Sequence, residues 1–208
     1  MNVNILLLAL GTFAIGTETF MIAGLLPAIA EYFAVSLSAA GQLVTVFSFV
    51  YAVGSPVLMT MAGRAERRGL LALSLVVFAA GNAVCGSAFS FAMMFAGRVI
   101  AALAAGLFAP AASAAAAALV SPDKRGRALS IVIGGQTVSL MLGVPFGTYL
   151  AHIFHWKVPF WVVAAVSLVA AALIRRLFPV VPSPGAVTLK ERLSVLKRPV
   201  ILSPCSRH

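Results

Sequence analysis

The sequence predicts an all-α membrane protein of six transmembrane helices. Three observations carry this expectation. Hydrophobic residues make up 62% of the 208-residue chain and charged residues only 10%, a balance typical of integral membrane proteins. The apolar segments are too long and too uniform for barrel strands, and lipid offers backbone amides no partner outside a helix. The basic residues fall in alternate connections between those segments, as the positive-inside rule requires.

Spanning the hydrocarbon takes about 20 apolar residues, and six segments qualify. The first covers about 5–28 and the second about 42–62, with Ser38 as the expected N-cap and Glu31 in the connection between them. The stretch 70–120 is broken only by Asn82 and Arg98, and as one helix it would be about 75 Å long, so it must turn back once. Gly86, Ser87 and Ser90 are the local breakers, which gives a third span of 70–87 and a fourth of 91–119, stopped by Ser121 and Pro122. The fifth span covers 128–151 and the sixth 158–174, closed by Arg175, Arg176 and Pro179. Phe154, Trp156, Phe160 and Trp161 are expected as interface anchors between the last two spans. Residues 1–178 thus form a six-helix bundle, and 179–208 a cytoplasmic linker and tail.

Arg64, Arg67, Arg68, Lys124, Arg125, Arg127, Arg175 and Arg176 occupy one set of connections, and the other set carries only Lys157 among basic residues. This pattern predicts both termini in the cytoplasm, and the chain is expected in a cell inner membrane. The net charge of +10 is therefore a feature of topology; the 15 basic residues form no single patch with interleaved aromatics, which excludes a nucleic-acid partner. Ala28-Ile29-Ala30 imitates a signal-peptidase site, but no basic residue precedes the apolar run, so the first segment is expected to be retained. Cys85 and Cys205 form no disulfide framework, and His152, His155 and His208 form no zinc site, so no metal or other cofactor is expected. A hydrolase would need a buried nucleophile with a base, and no span contains a histidine, so the chain reads as no enzyme.

Two charges break the apolar pattern. Glu18 and Arg98 lie inside spans one and four, where an ionisable side chain costs about 2.5 to 3.5 kcal/mol and normally faces a partner inside the bundle. If span one enters from the cytoplasm and span four from outside, Glu18 lies about 20 Å from the inner face and Arg98 about 10 Å from the outer one, nearly the same depth in a core of about 30 Å. They are therefore expected to meet. Burial disfavours a carboxylate and a neighbouring guanidinium favours it, so a site balanced between the two can load and release a proton. The alternative is a structural ion pair that locks two helices.

Gly16-Thr17-Glu18-Thr19-Phe20, followed by Gly24-Leu25-Leu26-Pro27, resembles the first helix of the drug:proton antiporter branch of the major facilitator superfamily, and in particular its sugar- and drug-efflux permease-like members. Three further motifs keep the family's order. Gly63-Arg64-Ala65-Glu66-Arg67-Arg68-Gly69 resembles the cytoplasmic signature after the second helix, with Gly63 at the usual acidic position and Glu66 at that of a later glycine. Arg98, with Gly106 following, matches the fourth-helix arginine, although Ala101 and Ala102 stand where glutamine and glycine often occur. Gly143-Val144-Pro145-Phe146-Gly147, with Gly134 upstream, resembles the antiporter motif of the fifth helix.

The resemblance implies the N-terminal half of a major facilitator fold and proton-coupled efflux of small molecules or drugs, with the proton gradient as driving force. Its partners would be a small-molecule substrate, protons, the lipid bilayer and a complementary C-terminal half. Glu18 and Arg98 would couple the proton, Gly63, Arg64, Glu66, Arg67 and Arg68 would gate the inner face, and Gly134, Gly143, Pro145 and Gly147 would permit rocking. Read without the family, the basic turn is an ordinary positive-inside loop and the glycines are sites of close helix packing. Gln42, Thr45, Ser48, Tyr51, Asn82, Gln136, Thr137 and Ser139 are polar candidates for a cavity wall, with Gln42 and Tyr51 the expected substrate contacts. After the linker the sequence at 193–201 approaches a seventh helix and leaves no room for one, so a truncated product is expected, either a non-transporting fragment or a half needing its partner.

Overall fold

The computed structural model describes residues 3–179, all of whose regular elements are helical. They are α1 (Val3–Tyr32), α2 (Leu37–Met61), α3 (Arg67–Gly86), α4 (Phe91–Ala118), α5 (Arg125–Val138), α6 (Val144–Ile153) and α7 (Val158–Leu177). A π-helical turn, Ser139–Gly143, joins α5 to α6, so Pro122–Ile153 is a single membrane span and the spans number six among the described residues. Apart from Pro179, the expected linker and tail, with Cys205 and His208, lie outside the described residues.

α1, α2, α3 and α7 each extend by about a turn at one end beyond the apolar cores from which they were read, and α4 keeps its expected bounds to within a residue. The second starts at Leu37 because its cap is Ser36 and not Ser38: Ser36 has extended backbone and its Oγ accepts from the Ala39 N–H at 3.1 Å. Ser38 sits inside the first turn. The connection from α1 is short because Ala34 takes a left-handed backbone, φ 51°, letting the Val35 N–H donate to Ala30 O at 3.0 Å and satisfy the helix end. Between α3 and α4 the breakers act as caps, with Ser87 Oγ donating to Ala83 O at 2.8 Å and Ser90 Oγ accepting from the Met93 N–H at 3.2 Å.

The helices pack α3 against α4 and α7, α2 against α4, and α1 against α5 and α7. Small residues set the spacing. A Cβ on Gly81 would stand 2.8 Å from the Ala101 amide nitrogen, so α3 and α4 touch backbone to backbone, and Ala101, Ala102, Ala105, Ala115 and Ala116 have no exposed surface. Without a hydrophobic drive between helices in lipid, such close van der Waals contact is what holds a bundle. The least buried spans are α2 and Pro122–Ile153, which leave large apolar side chains such as Phe49, Met61, Ile133 and Met141 outside the bundle.

Two of the four expected interface anchors turn inward. Phe154 and Trp161 are exposed, but Trp156 and Phe160 are buried; the turn between α6 and α7 folds Trp156 onto Tyr32, Phe33 and Phe160, tying the end of α1 to the start of α7. Lys157 covers this cluster, its Nζ donating to Tyr32 Oη at 3.0 Å and lying 4.6 Å from the Tyr32 ring centroid.

Candidate functional site

Glu18 and Arg98 meet. Both are fully buried, and Arg98 Nη1 donates to Glu18 Oε1 in an ion pair joining α1 to α4. The guanidinium is held from a third helix as well: Nε donates to Leu43 O of α2 at 3.2 Å, and its central carbon lies 4.3 Å from the centroid of the Phe47 ring. Glu18 Oε2 and Arg98 Nη2 have no hydrogen-bond partner among the described residues. A buried ion pair is sustained only when its geometry and added hydrogen bonds offset desolvation; here the Leu43 carbonyl supplies one such bond.

Beside the pair lies a cavity of about 230 Å³ lined by Thr12, Ile15, Thr19, Phe47, Ser48, Tyr51, Ala109 and Gln136. It carries hydroxyl, phenol and amide groups and no formal charge. Tyr51 lines this cavity, whereas Gln42 is exposed near the start of α2 and absent from this wall. The physical reason is helix phase: at 100° per residue, position 42 faces away from the stripe of 47, 48 and 51. Asn82, another candidate, is buried in α3, where its Nδ2 donates to Phe78 O at 2.9 Å.

The glycines of the fifth span divide sharply. Gly143 packs on Thr17 and Gly147 on Met21, whose sulfur would lie 2.8 Å from an added Cβ, so the span is pressed against the α1 turn that carries Glu18. Gly134 faces open space and Pro145 is exposed. Between them the chain widens to a π turn, in which the Val144 N–H donates to Ser139 O. Pro145 has no amide to donate, and a wide turn just before it is the local adjustment. An apolar cavity of about 210 Å³, bounded by Thr17, Met21, Gly143, Phe146 and Gly147 with residues of α7, adjoins this contact.

At the opposite end of the bundle from the aromatic cluster, Gly63 lies in a 3₁₀ turn, Ala62–Arg64, and Glu66 stands at the N-cap position of α3, which begins at Arg67. Arg68 Nε is 3.3 Å from Glu66 Oε1; the Arg64 side chain lies outside the described residues. Arg175 of α7 joins this group, since a Cβ on Gly69 would stand 3.8 Å from Glu66 Oε2 and 3.9 Å from Arg175 Nη1. That approach of two segments remote in sequence had no signal in the loop motif itself. Phe47 was also missed, although Leu43, Phe47 and Tyr51 recur at the four-residue spacing of one helix face.

The chain has known relatives. The chain is 36% identical over 195 residues to the uncharacterized MFS-type transporter YbcL of Bacillus subtilis, covering 94% of this chain and 50% of that protein. It is 38% identical over 206 residues to a chloramphenicol resistance protein of Streptomyces lividans, covering 97% of this chain and 53% of that protein. The chain thus spans about half the length of the curated relatives it matches. Its fold is similar to that of a bacterial homolog of the human lysosomal transporter Spinster, crystallised in an inward-facing and unoccupied conformation, with TM-score 0.76 at 21% identity over 91% of this chain and 46% of that one. It is also similar to the peptide transporter POT in an E310Q mutant form, with TM-score 0.77 at 14% identity over 95% of this chain and 43% of that one. The profile of the Major Facilitator Superfamily matches residues 8–205, and this multi-pass membrane protein belongs to that superfamily of transporters.

Proposed function

We propose that this six-helix unit exports small molecules in exchange for protons across a bacterial-type inner membrane, with both termini cytoplasmic and together with a complementary six-helix half. The single observation that carries the reading is the fully buried Glu18–Arg98 pair beside a polar, uncharged cavity. Oε1 of Glu18 is engaged by Arg98, so Oε2, which has no partner, is the oxygen that receives the proton. Protonation removes the carboxylate charge and weakens the charge-assisted bond that joins α1 to α4. The tight contact of Gly143 and Gly147 with α1 then carries that change into the fifth span. Transporters of this build place substrate near the bilayer midplane between two halves that rock about it. The exposed apolar faces of α2 and the fifth span support such a partner half.

The test is reconstitution in proteoliposomes, with the chain alone and with the C-terminal half of its Bacillus subtilis relative, under an imposed pH gradient. Chloramphenicol, taken from the name of the Streptomyces relative, is the first probe of cargo. Gradient-driven movement is expected with both halves present, and Glu18→Gln is expected to abolish it while leaving membrane insertion intact. Coupling unchanged by Glu18→Gln would reject the proton role. A second reading, a lock without proton traffic, is favoured by the Arg98 Nε bond to Leu43 O, which ties α2 into the same pair; it requires that very result.

A further inference from the structure

The ion pair and the cavity are neighbours that do not open into each other. Ile15 and Thr19, which flank Glu18 on α1, line the cavity, but Glu18 and Arg98 do not, and neither has exposed surface. Phe47 stands between them. Its ring is a wall of the cavity and is only 3% exposed, and its other environment is the Arg98 guanidinium, 4.3 Å from the ring centroid. One turn further along α2 the Tyr51 ring runs nearly parallel to it, with centroids 6.3 Å apart and planes 18° apart. One turn earlier, Leu43 O accepts from Arg98 Nε at 3.2 Å. The stripe of Leu43, Phe47 and Tyr51 thus holds the guanidinium at its outer end and meets the cavity at its inner end.

A cation over an aromatic face is attracted by the ring quadrupole, most strongly where both are removed from water, as here. The same ring is an apolar plug. We propose that Phe47 is both the positioning residue of Arg98 and the seal that separates Glu18 from cavity water, so that protons reach the carboxyl from the cavity only when this ring moves. The role in coupling rests on the reading of Glu18 as the proton carrier; the seal is a statement about access and is tested independently of transport.

The experiment measures how fast Glu18 is modified by a water-soluble carbodiimide with an amine nucleophile, resolved by peptide mass spectrometry, in the full 208-residue chain in lipid nanodiscs. Phe47→Leu keeps an apolar side chain and loses the ring; Phe47→Tyr keeps the ring. Phe47→Leu is expected to speed Glu18 modification by about thirtyfold, the scale of one lost desolvated cation–π contact, with Phe47→Tyr near the parent rate. Cys85, fully buried in α3, reports bundle integrity and is expected to stay unreactive toward a water-soluble maleimide in all three proteins. An unchanged Glu18 rate in Phe47→Leu overturns the proposal, as does a rate that rises only together with Cys85 labelling, which marks general loosening. The two readings fail separately. If Glu18→Gln leaves proton-coupled efflux intact but Phe47→Leu exposes Glu18, the proton role falls and the seal stands; if Glu18→Gln abolishes coupling and Phe47→Leu exposes nothing, the seal alone falls.

Discussion

Gly143 of the fifth span packs directly on Thr17, the residue before Glu18. There is no room for a Cβ at that contact, because the Thr17 hydroxyl and methyl already fill it, so the π turn sits against the helix turn that holds the buried carboxyl.

Gly143→Ala is therefore expected to destabilise the bundle by about 1 to 3 kcal/mol through overpacking, and Thr17→Ala to recover part of the loss. Gly134→Ala, in the same motif but facing open space, should change stability by no more than about 0.5 kcal/mol. Thermal unfolding in detergent checks both.

Removing one member of the Glu18–Arg98 pair leaves the other buried and unpaired. Arg98→Leu is expected to cost about 3 to 5 kcal/mol, whereas the double variant Arg98→Leu with Glu18→Gln should recover most of that. A double-mutant cycle on unfolding midpoints measures the coupling; a double variant as unstable as Arg98→Leu alone would contradict it.

The ion pair of Glu66 and Arg68 at the start of α3 behaves differently because its side chains are 40% and 28% exposed. Glu66→Gln should shift stability by less than about 1 kcal/mol, and raising salt to 1 M, where the Debye length is about 3 Å, should erase the difference. The unfolding midpoint at two salt concentrations is the measurement.

Ser36→Ala should destabilise α2 by about 1 kcal/mol through loss of the bond to the Ala39 amide. Ser38→Ala, inside the helix, should not destabilise it. Helical circular dichroism during thermal melts separates the two positions.

For topology, Phe154→Cys and Arg127→Cys are placed on exposed positions at opposite ends of the bundle, each in a background of Cys85→Ala and Cys205→Ser. With the termini cytoplasmic, an impermeant maleimide should label Phe154→Cys in intact cells and Arg127→Cys only after lysis. The reverse pattern would invert the proposed orientation.

The class, the number of spans and the two suspect charges were legible in the sequence because lipid imposes one-dimensional rules. A segment must be long enough and apolar enough to cross, its backbone must be helical, and a charge within it must have a reason. Glu18 and Arg98 stood out on that ground alone, and counting residues from each helix entry matched their depths. What only the tertiary structure decided was azimuth: which side of each helix faces which neighbour. On α1 the carboxyl of Glu18 marked the face toward Arg98, but nothing marked the neighbouring face, at Thr17 and Met21, that takes Gly143 and Gly147; on α2 the four-residue spacing of Leu43, Phe47 and Tyr51 drew a face without saying that it, and not the face of Gln42, would close the site. In a soluble bundle the contrast between wet and dry faces supplies that phase. In lipid both faces are dry, and the phase is set by close packing between segments far apart in the chain.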